Sequence, residues 1–264
     1  MLAEIRELRS LFALQGRVII ALLLRELHTR FGRENIGFLW MIGEPALFCG
    51  GVTVMWTLVR PAHEHGLPVT AFVVSGYVPL TMWRHCLFRA VKAFEANGSL
   101  LFHRQVTPLD IIMARVILEI TGTLMAALLV MIGAIILGFM EPPREYGILY
   151  LGLLLHIGFC LASALLVAAL SELSDLVEKS VQVIAYLAIP FSGAFTMADW
   201  LPPKYRGWLL WSPSVQNIEM IRQGQFGHGV HAHFDIGYDV SMTVILLLLG
   251  LALVLSVRRH IEVQ

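Results

Sequence analysis

Charge stops abruptly at Gly37. From Arg25 to Glu34 the chain carries Arg25, Glu26, Arg30, Arg33 and Glu34, whereas from Gly37 to Val59 the only charged side chain is Glu44. At about 1.5 Å per residue such a run covers about 30 Å of hydrocarbon, so residues 37–59 predict one transmembrane helix with a charged threshold in front of it. Inside it, Glu44 stands next to Pro45, which removes a backbone hydrogen bond. Both residues are costly in lipid and are expected to face protein or water.

The rest of the chain repeats this alternation. It is 57% hydrophobic and only 14% charged over 264 residues, outside the range of an ordinary soluble domain. Further apolar runs predict spans over about 68–88, 110–138, 146–170, 181–198 and 240–257. The expected fold class is therefore an all-α polytopic membrane protein of six transmembrane helices, forming one domain over 1–264. Ahead of the first span, residues 1–36 form an N-terminal segment in which Arg17, Ala21, Arg25 and His28 share one helical side. Ile19, Leu22, Leu23, Leu27 and Phe31 cover the remainder. That pattern predicts an amphipathic helix at the membrane interface, although a plain lead-in without function would look similar. Charged residues precede any apolar run, so a cleavable signal is not expected.

Between spans five and six, residues 199–238 hold apolar pieces too short to cross. They predict short re-entrant or surface helices, with Ser212-Pro213 as N-cap and first helical residue of a segment ending near Arg222. Pro108 similarly suits the first turn of the third span, where Arg115 and Glu119 share a face near its start.

Six spans place both termini on one side. With the N-terminus inside, fourteen of the 19 Lys and Arg residues fall in cytoplasmic segments, so both ends are expected in the cytoplasm. Cys49, Cys86 and Cys160 lack metal or disulfide spacing and read as packing residues. No P-loop motif occurs, so any ATP-driven role requires a second protein.

Several blocks carry a family resemblance. Arg25-Glu26, Thr29-Arg-Phe-Gly32, Leu39-Trp40 and Glu44-Pro45 resemble the opening of the permeases of capsule polysaccharide ABC exporters, the KpsM-like branch of the ABC-2 transporters. The likeness continues through Glu95-Ala-Asn97, Arg104 to Asp110, Arg115 and Glu119. It returns at Leu210-Trp-Ser-Pro213, Glu219 and Arg222, with Ser212 where the family more often has Asn. The resemblance implies two copies of the permease working with two copies of a separate ATP-binding cassette ATPase, which would hold ATP and Mg; no cofactor is expected in this chain. A lipid-linked polysaccharide would pass between the permeases across the inner membrane, towards periplasmic and outer-membrane export components. No nucleic-acid partner is expected.

Carried onto these residues, ATPase coupling falls on Arg25, Glu26, Arg30, Arg33, Glu95, Asn97, Arg104, Glu172, Asp175 and Glu178. Channel or gate candidates are Trp40, Glu44, Pro45, Trp56, Trp83, Trp200, Trp208, Trp211, Pro213 and Arg222. Aromatic rings suit the C–H faces of sugars, yet a Trp near a span end also serves as an interface anchor. Arg60, Arg84 or Arg89 could accompany an acidic polymer. Other readings stay open at this point. His63, His65, His228, His231 and His233 could hold a metal, Glu172, Asp175 and Glu178 could do acid–base work in a transferase, and an ion-coupled carrier needs no ATPase.

Overall fold

The computed structural model describes residues 2–31, 36–59, 63–64, 66–101 and 105–261. Ten helices follow one another among them: α1 Leu2–Phe31, α2 Ile36–Val59, α3 Val69–Ala90, α4 Gly98–Leu101, α5 Pro108–Ile136, α6 Tyr146–Leu173, α7 Asp175–Leu187, α8 Pro203–Leu209, α9 Pro213–Phe226 and α10 Ile236–Ile261. The only strands among the described residues, His63–Glu64 and Leu67–Pro68, pair as a small hairpin ahead of α3.

Among the described residues four helices are long and apolar enough to cross a membrane: Leu39–Val59 within α2, then α5, α6, and Ile236–Val257 within α10. α3 has the length, 22 residues, but Arg84, His85 and Arg89 occupy its second half. The run 181–198 is not one helix, contrary to the expectation. The helix begins six residues earlier, at Asp175, and stops at Leu187. A 3-10 turn with Pro190 follows, and Gly193 takes a positive φ of 77°. The early start has a physical reason, since Asp175 and Glu178 in the first turn complement the positive end of the helix dipole.

The core runs through α3, α5, α6 and α10. Ile112, Val116, Ala164, Leu165, Ala168 and Val254 meet in it, with Cys86 and Cys160 buried among them as packing residues. Lipid supplies little hydrophobic drive between helices, so close van der Waals packing of small residues carries the contact. At Gly250 an added Cβ would come within 2.8 Å of Leu165 Cβ, and Ala162, Ala164 and Ala168 of α6 are fully buried.

α5 starts where its sequence says it should. Thr107 caps it by accepting from Asp110 N at 3.3 Å, while the Asp110 carboxylate accepts from Thr107 N at 2.8 Å, and Pro108 opens the first turn. Ser212 and Pro213 occupy the N-cap and N1 positions of α9, without a side-chain capping bond from Ser212.

α1 departs from the picture of a helix lying only in lipid. Leu22 is buried against Ile111 and Ala114 of α5, with Val18, Ile19 and Leu23 around it. Gln15 donates to Asp110 at the α5 cap. Ile20 and Leu24 remain exposed, as does the row Arg17, Ala21, Arg25 and His28.

Candidate functional site

Residues distant in sequence converge at the α1 end of the bundle. Arg25 Nη1 donates to Asn97 Oδ1 at 2.9 Å, and Asn97 in turn donates to Ala93 O. The turn after α3 is held from the other side by Glu172, whose Oε1 accepts from the backbone N–H groups of Phe94 and Glu95, both at 3.0 Å. Ser171 Oγ accepts from Lys92 N. Lys92 has a positive φ of 48°, a conformation that costs a non-glycine residue energy. Its ammonium lies 3.2 Å from Glu95 and 3.6 Å from Asp175. The bond to Glu95 holds its pKa above the ordinary lysine value, with the side chain 26% exposed.

Six of the residues expected to couple to an ATPase, Arg25, Glu26, Glu95, Asn97, Glu172 and Asp175, thus lie in or beside one network. Glu26 pairs with Arg115, N···O 3.3 Å, and Arg115 also donates to Arg89 O at 2.7 Å. Arg33 and Arg104 lie outside the described residues.

The network has a hub that belongs to the family blocks but was not among the expected coupling or gate residues. Glu119, with a side chain only 6% exposed, pairs with Arg30, lies 3.3 Å from Arg89 Nε and 3.5 Å from His85 Nδ1. Arg115 and Glu119, one turn apart on α5, do not pair with each other. They clamp α1 at two successive levels, through Glu26 and Arg30. The i, i+4 spacing was the available signal, but it does not say which helix the pair faces.

Arg30, His85 and Arg89 also line a cavity of about 720 Å³ between α2, α3 and α7. Arg84, Glu44 and Glu178 add further charge, and Tyr77, Phe88 and Tyr186 add rings. The Arg84 guanidinium sits 4.4 Å from the Tyr186 ring centre and 5.5 Å from that of Phe88, within cation–π range. Tyr77 lies two turns before Arg84 on the same face of α3. From Tyr77 the aromatics continue to Phe195 at 6.3 Å, which stacks on Trp56 at 5.1 Å. Glu44 is half-buried on the cavity wall, and among the described residues no hydrogen bond to its carboxylate is formed. Pro45 is buried inside α2, which remains helical through it.

Trp83 is placed elsewhere. Its Nε1 donates to Ser163 Oγ at 3.3 Å and its ring stacks on Phe159, so it packs α3 against α6 and does not line the cavity. Trp40, Trp208 and Trp211 are more than half exposed, and Trp200 stacks on Phe72 at 4.9 Å.

At the opposite end, Arg222 is fully buried and lines no open path. Its Nη1 donates to Gly193 O at 2.7 Å and Thr196 O at 3.1 Å, its Nη2 donates to Ala194 O at 2.6 Å, and its guanidinium lies 3.9 Å from the Phe72 ring centre. Glu219, one turn earlier, accepts from Ala198 N and His233 N, both at 3.0 Å. α9 is therefore a polar spindle that pins the irregular chain on either side of it. Gly76 of α3 lets the 193–196 turn come close, because a Cβ there would collide with Ala194 O and lie 2.7 Å from Arg222 Nη2. Gly76→Ala is expected to displace that turn and cost about 1–3 kcal/mol, read as a lower unfolding temperature of the purified protein.

Nearby, Asp199 lies 3.1 Å from His233 Nε2 and 3.3 Å from Arg206 Nη2. The hydrogen bond from His233, then the Arg206 charge, hold its carboxyl below the ordinary value. A depressed carboxylate contributes above its ordinary pKa and loses that contribution only as pH falls through the lowered one, so mild acid leaves it ionised. His228 is fully exposed, and His65 lies outside the described residues. Among the described residues no group of three His, Cys, Asp or Glu could hold a metal ion.

Comparison with known proteins bears directly on this arrangement. The ABC-2 type transporter family matches residues 17–226. The capsule polysaccharide export inner-membrane protein BexB of Haemophilus influenzae is 38% identical over 252 residues, 96% of this chain and 95% of its own length. CtrC of Neisseria meningitidis serogroup B, which bears the same description, is 38% identical over the same shares. The polysialic acid transport protein KpsM of Escherichia coli is 27% identical over 93% of this chain and 95% of its own. With the match running from α1 to the end of α9, and these relatives aligned nearly end to end, the chain belongs to the ABC-2 type transporter family.

Proposed function

We propose that this chain is the permease subunit of an ATP-driven exporter that moves capsular, lipid-linked polysaccharide across the bacterial inner membrane. It works as two copies with two separate ATP-binding cassette subunits, which bind ATP and Mg and carry out the hydrolysis. It crosses the membrane six times, α3 and the α7 segment completing the four apolar crossings, with both termini in the cytoplasm. Its own residues make and break contacts, not covalent bonds. The names of the aligned relatives, capsule polysaccharide export and polysialic acid transport, support this substrate class.

The observation that carries the reading is the wiring of α1 into the cavity. Arg25 and Glu26 belong to the face that would meet the ATPase, and one helical turn on Arg30 joins Glu119, Arg89 and His85 on the cavity wall. A displacement of α1 driven by a partner therefore reaches the substrate path through two ion-pair levels and no intervening loop. The path suits a glycan, because Tyr77, Tyr186 and Phe88 offer faces for sugar C–H surfaces while Arg84, Arg89 and His85 offer donors to hydroxyls and acidic groups. At the other end the segment around α8 and α9, with Trp200, Trp208, Trp211 and Pro213, forms the outer gate, and Arg222 serves it as the clamp of its turn. Glu44, at the cavity wall, bonds across to the second copy or to the substrate. Glu44→Gln is expected to lower export while leaving assembly intact; normal export would remove this role.

Arg84→Gln is expected to reduce transport of an acidic polymer several-fold and of a neutral one little, measured as polymer accumulated in proteoliposomes. The decisive experiment for the reading as a whole is reconstitution with and without a P-loop ATPase. Transport only with the ATPase and ATP is expected. Transport by this chain alone in an ion gradient would overturn it in favour of a secondary carrier.

A further inference from the structure

A groove of about 280 Å³ runs between α5 and α6 at the α8–α9 end of the bundle, away from the charged cavity. α5 and α6 are joined by a tight turn yet touch only sparsely, and α9 forms part of the floor between them. The lining is almost wholly apolar. Of its four hydroxyl or amide side chains, Ser75 donates to Phe72 O and Gln225 donates to Glu141 O, while Tyr146 and Tyr150 stand at the rim, 52% and 62% exposed. A cavity of this kind gives water no adequate set of partners.

Its dimensions match one leaflet. The α5 wall runs from Leu124 to Ile135, about 16 Å at about 1.5 Å per residue, against about 15 Å for half the hydrocarbon core. Both wall helices have the length and hydropathy of membrane spans, and the rim residues Leu128 and Tyr150 are 52% and 62% exposed, so the groove opens sideways towards lipid. At its outer end a second pocket of about 240 Å³ shares Gln225 with it and is lined by Arg144 and Glu141. The Arg144 side chain is 58% exposed and holds Glu141 through Nη2 at 3.0 Å. An apolar slot one leaflet deep, ending beside an accessible guanidinium, has the polarity of a single amphiphile.

We propose that this groove binds one acyl chain of a bilayer phospholipid, with the headgroup phosphate beside Arg144. The chain completes the packing of α9 that protein atoms leave open. The bilayer is thereby joined directly to the helix whose Arg222 clamps the 193–196 turn.

The test uses the full chain in nanodiscs containing a tracer of phosphatidylglycerol with a diazirine in the middle of one acyl chain. Ile221 and Gln225 are only 7% and 4% exposed; Ile221 opens onto the groove, and Gln225 onto the groove and the pocket at its outer end. Photolabelling of these two residues is expected, alongside the labelling of lipid-facing Leu248 and Leu249. Ala127→Trp, which fills the groove, is expected to remove the first and keep the second. A tracer of diacylglycerol, lacking the phosphate, is expected to label Ile221 and Gln225 at least threefold less, and Arg144→Gln to erase that difference. If Ala127→Trp fails to fold, the wild-type labelling still decides. Unlabelled Ile221 and Gln225 beside labelled Leu248 would overturn the proposal. So would equal labelling by both tracers, or absence of label at Leu128 and Tyr150 beside labelled Leu248, the pattern expected if a second copy covers the face.

Discussion

Exchanging Arg222 for leucine is expected to lower the stability of the protein by about 3–5 kcal/mol and to abolish export. The guanidinium makes three hydrogen bonds to backbone carbonyls of the 193–196 turn and rests on Phe72 in full burial. Leucine fills part of the volume but leaves three buried acceptors without donors, each costing about 1–3 kcal/mol. Removing the charge recovers some of its own burial cost, which keeps the net figure near that of other broken buried charge networks. Arg222→Lys is expected to fall between the two, because one ammonium cannot reproduce a planar fork reaching carbonyls on both sides. Thermal unfolding of the purified protein reads the ranking wild type, lysine, leucine. A leucine variant as stable as wild type would show that the turn does not depend on the clamp.

The second large effect is expected at Glu119. Glu119→Gln removes the charge that holds Arg30, Arg89 and His85 together, and export is expected to fall about tenfold, the order of a 1–3 kcal/mol coupling between sites. The cost in stability is smaller, about 2 kcal/mol, because Arg30 and Arg89 are partly solvated and solvent takes over part of their stabilisation. The distinguishing readout is uncoupling. ATPase activity of the assembled complex persists while polymer movement falls about tenfold. Pairing Glu119→Gln with Arg30→Gln should add little to the single change, whereas pairing it with Glu26→Gln should add, since Glu26 and Arg115 form a separate level. Additivity in both pairs would mean that Glu119 and Arg30 do not act together.

Features set by local chain chemistry were the legible ones. The loss of charge at Gly37 marks the start of α2 within a residue, and Pro108 marks the first turn of α5, whose Thr107–Asp110 cap the structure adds. Ser212-Pro213 likewise locates the start of α9. The helix that opens at Asp175 begins ahead of the apolar run at Val181, because its first turn is acidic and apolarity alone does not register such a turn. Arg25 and Asn97 stand in the family blocks and Glu172 among the implied coupling residues, but their geometry was not legible, since nothing in local periodicity says that a carboxylate on α6 will accept two backbone N–H groups of the turn after α3. Arg222 shows the limit most clearly. Its charge and position suggested a gate residue, and only the tertiary approach permitted by Gly76 reveals three carbonyls waiting for it. Hydropathy reports how greasy a segment is on average, not which polar atoms its few charged residues will satisfy.

The contacts that build the α1-end face join residues 72, 78 and 89 positions apart. Pairings of such long range form late, after loops of that length have closed. A nascent chain that has not yet emitted Glu172 owns the N-terminal helix but not the surface it belongs to. A partner recognising the assembled surface therefore meets only chains that have advanced past Glu172, and one truncated before it presents an incomplete surface.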